Sequence, residues 1–247
     1  MSSDQLLALV GRAGFIFRGK VVRHGASHAA AGVEGPAATV SVHEVLRSTH
    51  VLQGLAGRDV TIFGEHAANL HAGASYIFLA DCVVLGDHAI LRDHSHFEVS
   101  PDADRDIAEA IRIEEERPLR ERVAGADLIV TGRVTASRQL EPPSIRRSEH
   151  DPDWWVARLA VRTVVKGKTG KEKEIDVLFA NSDDLSWYKS PKLHEGVSGV
   201  FLLRLAEPNH LPKAARNMFV AADPLDHLPA ERLPEVERLL QSEKGDR

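Results

Sequence analysis

A single cysteine, Cys82, stands among 247 residues, so no internal disulfide can form, and no Asn-x-Ser/Thr acceptor occurs anywhere. Both facts suit a reducing compartment. Long apolar runs are missing too. No stretch approaches the roughly 18 residues that a transmembrane helix needs, and residues 1–10 carry Asp4 where a secretory signal would be basic, their apolar run ending at Gly11-Arg12. The cytoplasm is the expected compartment. Nor is there an excess of positive charge: 36 Asp and Glu against 31 Lys and Arg leave a net −5, which attracts neither a polyphosphate nor an anionic membrane. The nucleophile elbow Gly-x-Ser-x-Gly and the phosphate cradles Gly-x-x-x-x-Gly-Lys-Ser/Thr and Gly-x-Gly-x-x-Gly are absent. The expectation is a protein without cofactor and without enzyme activity.

What is present is an internal duplication. Residues 10–21, with Gly19 in an apolar run, align with residues 123–134, with Gly132 at the same place. Three further blocks follow in the same order: 39–46 with 158–165, 60–63 with 175–179, and 71–79 with 194–202. These alternate apolar and polar residues or open from a glycine turn into an apolar run, as half-buried strands do. A fifth match sets Phe97-Glu98-Val99 against Phe219-Val220-Ala221. Five short strands per copy are too few for a sandwich and enough for a small closed barrel, which has no open sheet edge. A strand-interior glycine marks a bulge or sharp bend, which a curling first strand requires.

The expected class is therefore mainly β with flanking helices: two tandem five-stranded OB-like barrels. Residues 1–101 form the first barrel with an N-terminal helix, 102–125 a helical linker, and 126–247 the second barrel with a C-terminal helix. The linker begins with an acidic turn after Ser100-Pro101 and shows a stripe of Ile107, Ala110 and Ile111, with Pro118 able to restart a helical turn. The closing helix presents Leu233, Val236, Leu239 and Leu240.

The run Ala126-Asp127-Leu128-Ile129-Val130-Thr131-Gly132-Arg133-Val134, then Ala157 to Gly167, then Leu193-His194-Glu195-Gly196 before Val200-Phe201-Leu202-Leu203, resembles the netrin/TIMP-like branch of OB-fold barrels. Residues 11–99 resemble it less closely. The resemblance implies a barrel and no particular activity. In the metalloproteinase inhibitors of that branch an N-terminal cysteine chelates zinc and disulfides hold it; this chain starts Met1-Ser2 and lacks the disulfides, so that chemistry is not implied.

Thirteen histidines invite a metal hypothesis. His94 and His96, two apart on a strand, would share a face and could approach one Zn²⁺, as a metal-dependent hydrolase would require, but no third ligand at a usual spacing accompanies them. His71 and His194 precede turn glycines, where a side-chain bond to the turn backbone is the simplest role. The second copy carries a different asymmetry: all three tryptophans, Trp154, Trp155 and Trp187, together with Tyr188, and with Lys189 and Lys192 close by. Its first interstrand loop adds Arg146 and Arg147. Three readings compete: aromatic anchors of a contact with a protein partner or a second copy, stacking platforms for a single-stranded nucleic acid, and plain packing. Interspersed Glu172, Glu174, Asp183 and Asp184 cancel much of the cationic field, which disfavours the nucleic acid. The function expected is a non-catalytic binding or assembly module.

Overall fold

The computed structural model describes residues 1–25, 35–86, 88–140, 152–170, 173–206 and 218–245, in two compact units, Met1–Arg117 and Pro118–Arg247. The first opens with α1 (Ser3–Arg12), capped by a reciprocal pair in which Ser2 Oγ accepts from the Gln5 amide and Gln5 Oε1 accepts from the Ser2 amide. Five strands follow: β1 (Phe15–His24), β2 (Ala37–Ser48), β3 (Asp59–Phe63), β4 (Ser75–Val84) and β5 (Ala89–Glu98). They pair in the order β1-β2-β3-β5-β4, and β4 returns to β1 to close the ring. Only the β3–β5 seam is parallel. Phe15, Phe17 and Phe78 stack in series inside, their centroids 4.8 and 5.0 Å apart.

After α2 (Pro101–Gly125) the second unit repeats the plan with β6 (Leu128–Gln139), β7 (Trp154–Lys166), β8 (Glu174–Ala180), β9 (Ser198–Leu205) and β10 (Phe219–Ala221). The short β10 pairs in parallel with β8 and antiparallel with β9, so β6-β7-β8-β10-β9 is also a closed ring, and β11 (His227–Leu228) pairs with β9 beyond the end of β10. α3 (Leu233–Gly245) follows. The fold is thus two closed five-stranded barrels of OB-like strand order with flanking helices. Among the described residues no helix is long and apolar enough to cross a membrane.

The duplication extends to the irregularities. The register of β1 on β2 slips between Ile16 and Phe17, Arg18 and Gly19, and Val21 and Arg23; that of β6 on β7 slips between Ile129 and Val130, Thr131 and Gly132, and Val134 and Ala136. These are the same three places in the repeat. A Cβ on Gly132 would lie 2.5 Å from the Ala160 carbonyl oxygen, and one on Gly19 2.5 Å from Val40 Cγ1 and 2.9 Å from the Ser41 carbonyl oxygen. Glycine is required here by close approach of the neighbouring strand rather than by backbone angle. The fifth-strand match differs from the one expected. Val177 pairs with Phe219 as Ile62 pairs with Leu91, and Leu205 pairs with Phe219 as Cys82 pairs with Leu91. Leu91-Arg92-Asp93, not Phe97-Glu98-Val99, is therefore the counterpart of Phe219-Val220-Ala221.

Each barrel also carries a helix pair on the outside of its first and fourth strands. In the first unit Leu6, Val10 and Ala13 pack with Ile16, Ile77 and Leu79; in the second, Leu119, Val123 and Ala126 pack with Ile129, Val200 and Leu202, position for position. Burial of each larger side chain contributes about 1.5–3 kcal/mol. The helix after each barrel joins the same cluster, through Ile107, Ala110 and Ile111 in one and Val236, Leu239 and Leu240 in the other. A cation from the second strand caps the leading helix in both: Arg47 donates to the Val10 carbonyl at 2.9 Å, and Lys166 to the Val123 and Ala124 carbonyls at 2.9 and 2.7 Å. The stretch read as a linker is thus one helix with two employments. Its residues up to Arg117 belong to the first unit and those from Pro118 to the second, and Pro118 lies inside the helix at that division. The second unit adds a buried ion pair, in which the Asp226 carboxylate accepts from Arg122 and from the Ala222 and Asp223 amides. Burial pushes the Asp226 pKa up, against the opposing pull of Arg122 and the two amides.

Gly132→Ala and Gly19→Ala should each lower the urea unfolding free energy by about 1–3 kcal/mol through forced overpacking. Gly54→Ala, which meets nothing within 4 Å, should stay within about 0.5 kcal/mol of wild type.

Candidate functional site

The aromatic residues of the second copy lie at the start of β7 and in the segment after β8. Trp155 and Trp154 alternate across the strand. Trp155 packs against the barrel core and meets Phe179 and His194 at centroid distances of 6.3 and 6.0 Å. Trp154 joins the cluster of Leu140, Val156, Leu178, Met218 and Val220, and its ring meets Trp187 edge to face at 5.7 Å. Trp187 and Trp154 are half-buried, whereas Tyr188 is 55% exposed and Leu185 87%.

The loop that presents them is fastened. The Ser186 amide donates to Asp184 Oδ1 and the Trp187 and Tyr188 amides to the Asp184 carbonyl, each at 2.8 Å, while Ser190 Oγ donates to the Ala222 carbonyl at 2.6 Å. Lys192 Nζ donates to three carbonyls, of Ala180, Ser182 and Trp187, at 2.9, 2.7 and 3.1 Å. Its ammonium is thereby committed to the loop backbone rather than to a groove, and burial pushes its pKa down against the pull of Asp183. Lys189 Nζ lies 5.6 Å over the Tyr188 ring, a cation–π contact at the surface. Arg146 and Arg147 lie outside the described residues. The loop thus shows an apolar and aromatic tip, with the Lys192 ammonium engaged by its backbone and Lys189 at the surface.

His94 and His96 are not brought together on one ligand. His94 falls at a bulge, since Leu79 pairs with Ser95 and Ala80 with Asp93, which breaks the alternation that would have put both rings on one face. His94 Nε2 lies 2.8 Å from Asp81 Oδ2, and His96 Nδ1 2.7 Å from the buried Asp93 Oδ2. His96 stands edge-on to Tyr76 at 5.1 Å, so its ring belongs to the barrel packing. Among the described residues no group of three His, Cys, Asp or Glu is placed to hold a metal ion. The glycine turns after His71 and His194 are closed by their backbone carbonyls, which accept from the Ala74 and Val197 amides, rather than by their side chains. The Cys82 thiol is pushed up in pKa by burial.

The Asp81 carboxylate also accepts from the Gly14 amide at 2.8 Å. Burial pushes its pKa up, but the Gly14 amide and His94 outweigh burial, and the net shift is downward. This tether ties the start of β1 to β4, and nothing in the sequence periodicity marks it.

No family model and no curated protein matches the chain. Solved structures it is similar to include one described as "Structural mimicry for functional antagonism", at 10% identity and TM-score 0.23 over 85% of this chain and 89% of that one. Another is the Ifi202 HINa domain in complex with 20-bp double-stranded DNA, at 9% identity and TM-score 0.23 over 85% and 92%. At that level the likeness carries no argument, and the OB-like assignment rests on the strand order.

Lys192→Met should take the ammonium donor away from three carbonyls, of which that of Trp187 still accepts the Ser190 amide, and cost about 1–3 kcal/mol, with faster amide exchange confined to residues 182–190. A carboxylate whose pKa is lowered by folding stabilises the fold above the ordinary carboxylate range and loses that effect as pH falls through it. The stability advantage of wild type over Asp81→Asn should therefore be full near neutral pH and vanish in acid.

Proposed function

We propose that this protein is a non-catalytic binding module whose second barrel offers the Trp154–Trp187 platform, with Tyr188 and Leu185 exposed on it, to a protein partner. The observation that carries the reading is the fastened loop. Lys192 holds the tip in place before any partner arrives, so binding there loses little conformational entropy. Aromatic side chains at the centre of such a surface are the residues that dominate protein contacts.

The competing reading, single-stranded nucleic acid, needs free cations beside the stacking rings. Lys192 is bound to carbonyls, and the exposed Lys189 has the exposed Asp183 on the same loop. This favours a protein partner. Absence of catalysis is supported by the lack of a nucleophile-elbow or phosphate-cradle motif in the sequence. Within the OB-like class, the run Ala126–Val134 supports placement near the netrin/TIMP-like branch, and the single cysteine suits the cytoplasm.

Affinity purification with cross-linking from the native host should recover a partner through the loop of residues 182–190, and Tyr188→Ala/Leu185→Ala should weaken the reconstituted complex at least tenfold without changing the melting temperature. Salt-sensitive binding of labelled oligonucleotides, lost in the same double variant, would establish the nucleic-acid reading instead.

A further inference from the structure

α1 and the first part of α2 leave between them, over Phe97, a groove of about 710 Å³. Its apolar lining includes Leu7, Ala103, Ala110 and Ile113, and its charged lining is Arg105, Asp106 and Glu109. The second unit provides an internal control, because its helix pair occupies the same places on the barrel. Arg120, next to Leu119, stands where Leu7 stands next to Leu6, and Ser242, six residues after Val236, stands where Ile113 stands six after Ile107. In the second unit these two positions are polar and bridged, with Arg120 Nη1 donating to Ser242 Oγ at 3.4 Å. In the first they are apolar and flank the groove. The seam beneath is apolar at matching positions in both copies, with Ala110 of the first standing where the second has the larger Leu239.

The first part of α2, which forms one wall of the groove, has one sign of charge in excess, and the lining itself holds two carboxylates to one arginine. Between Pro101 and Arg117 seven carboxylates stand against three arginines, and each arginine is already shared along the helix: Arg105 with Asp102 and Asp106, Arg112 with Glu109 and Glu116, Arg117 with Glu114. A wall of net negative charge repels phosphate, whether of a nucleic acid or of an anionic lipid headgroup. It attracts a cationic flank, and apolar side chains spaced i, i+3 or i+4, and i+7 are what a groove of this kind takes. We propose that the groove binds an amphipathic helix of a protein partner whose apolar stripe is flanked by lysine or arginine. This surface is separate from the aromatic loop of the second barrel.

The test uses the full chain and fluorescence anisotropy with three labelled 16-residue helical peptides: a leucine stripe flanked by lysine, the same stripe flanked by glutamate, and the lysine peptide with its leucines replaced by serine. The lysine–leucine peptide should bind at least tenfold more tightly than either of the others, and more weakly as salt rises. Leu7→Arg/Ile113→Ser, which copies the second unit, should abolish that binding. Asp106→Lys/Glu109→Lys, at exposed positions where folding is kept, should reverse the preference between lysine and glutamate flanks. Equal affinity for the three peptides, no binding of the lysine–leucine peptide, indifference to the charge-reversing pair, or sedimentation as a dimer that Leu7→Arg dissolves would each overturn the proposal.

Discussion

The constraint on which this structure depends is that the first strand of each repeat must hydrogen-bond along both edges while turning around a narrow cylinder. β1 is paired with β2 on one side and β4 on the other, and β6 with β7 and β9. A flat strand cannot do this over ten or more residues. Three register slips in the pairing with the second strand supply the curl, and the glycine at the middle slip lets the neighbouring backbone come close. Because the slips recur at matching positions in both copies, the curl is a property of the repeat rather than of either barrel alone.

Closure has a second consequence. With no free edge, the outer faces of the first and fourth strands must be covered by something other than another strand, and in both copies a leading and a trailing helix cover them. α2 serves as the trailing helix of one copy and the leading helix of the next, divided at Pro118. The interior of the repeat is therefore held to one solution while its exterior is free to differ. Two of the differences bear on binding. The second copy alone carries tryptophans on and after its second and third strands, and the first copy alone keeps apolar side chains where the other places Arg120 and Ser242.

Much of this was legible in the sequence. Strands one to four of the two copies align as the registers pair them, because alternation of apolar residues is a local signal and Gly19 and Gly132 punctuate it alike. The fifth strand was not, because β10 has three residues against ten in β5, and the partner that fixes its position is β3 or β8, distant in sequence. The local likeness of Phe97 to Phe219 outweighed a register that only closure determines. The Trp154, Trp187 and Tyr188 grouping could be read from composition, whereas the commitment of Lys192 to three carbonyls could not, since backbone oxygens leave no mark in a sequence. The shared face expected for His94 and His96 failed for a related reason: period-two alternation assumes an unbroken ladder, and the bulge sits at His94.

The most direct test is nuclear Overhauser spectroscopy across the two parallel seams that close the rings. The account predicts cross-peaks joining Ile62 to Leu91 and Val177 to Phe219, with slow amide exchange along β1 and β6 on both edges. Missing cross-peaks at either seam, together with fast exchange along one edge of β1 or β6, would mean an open sheet and would contradict the account.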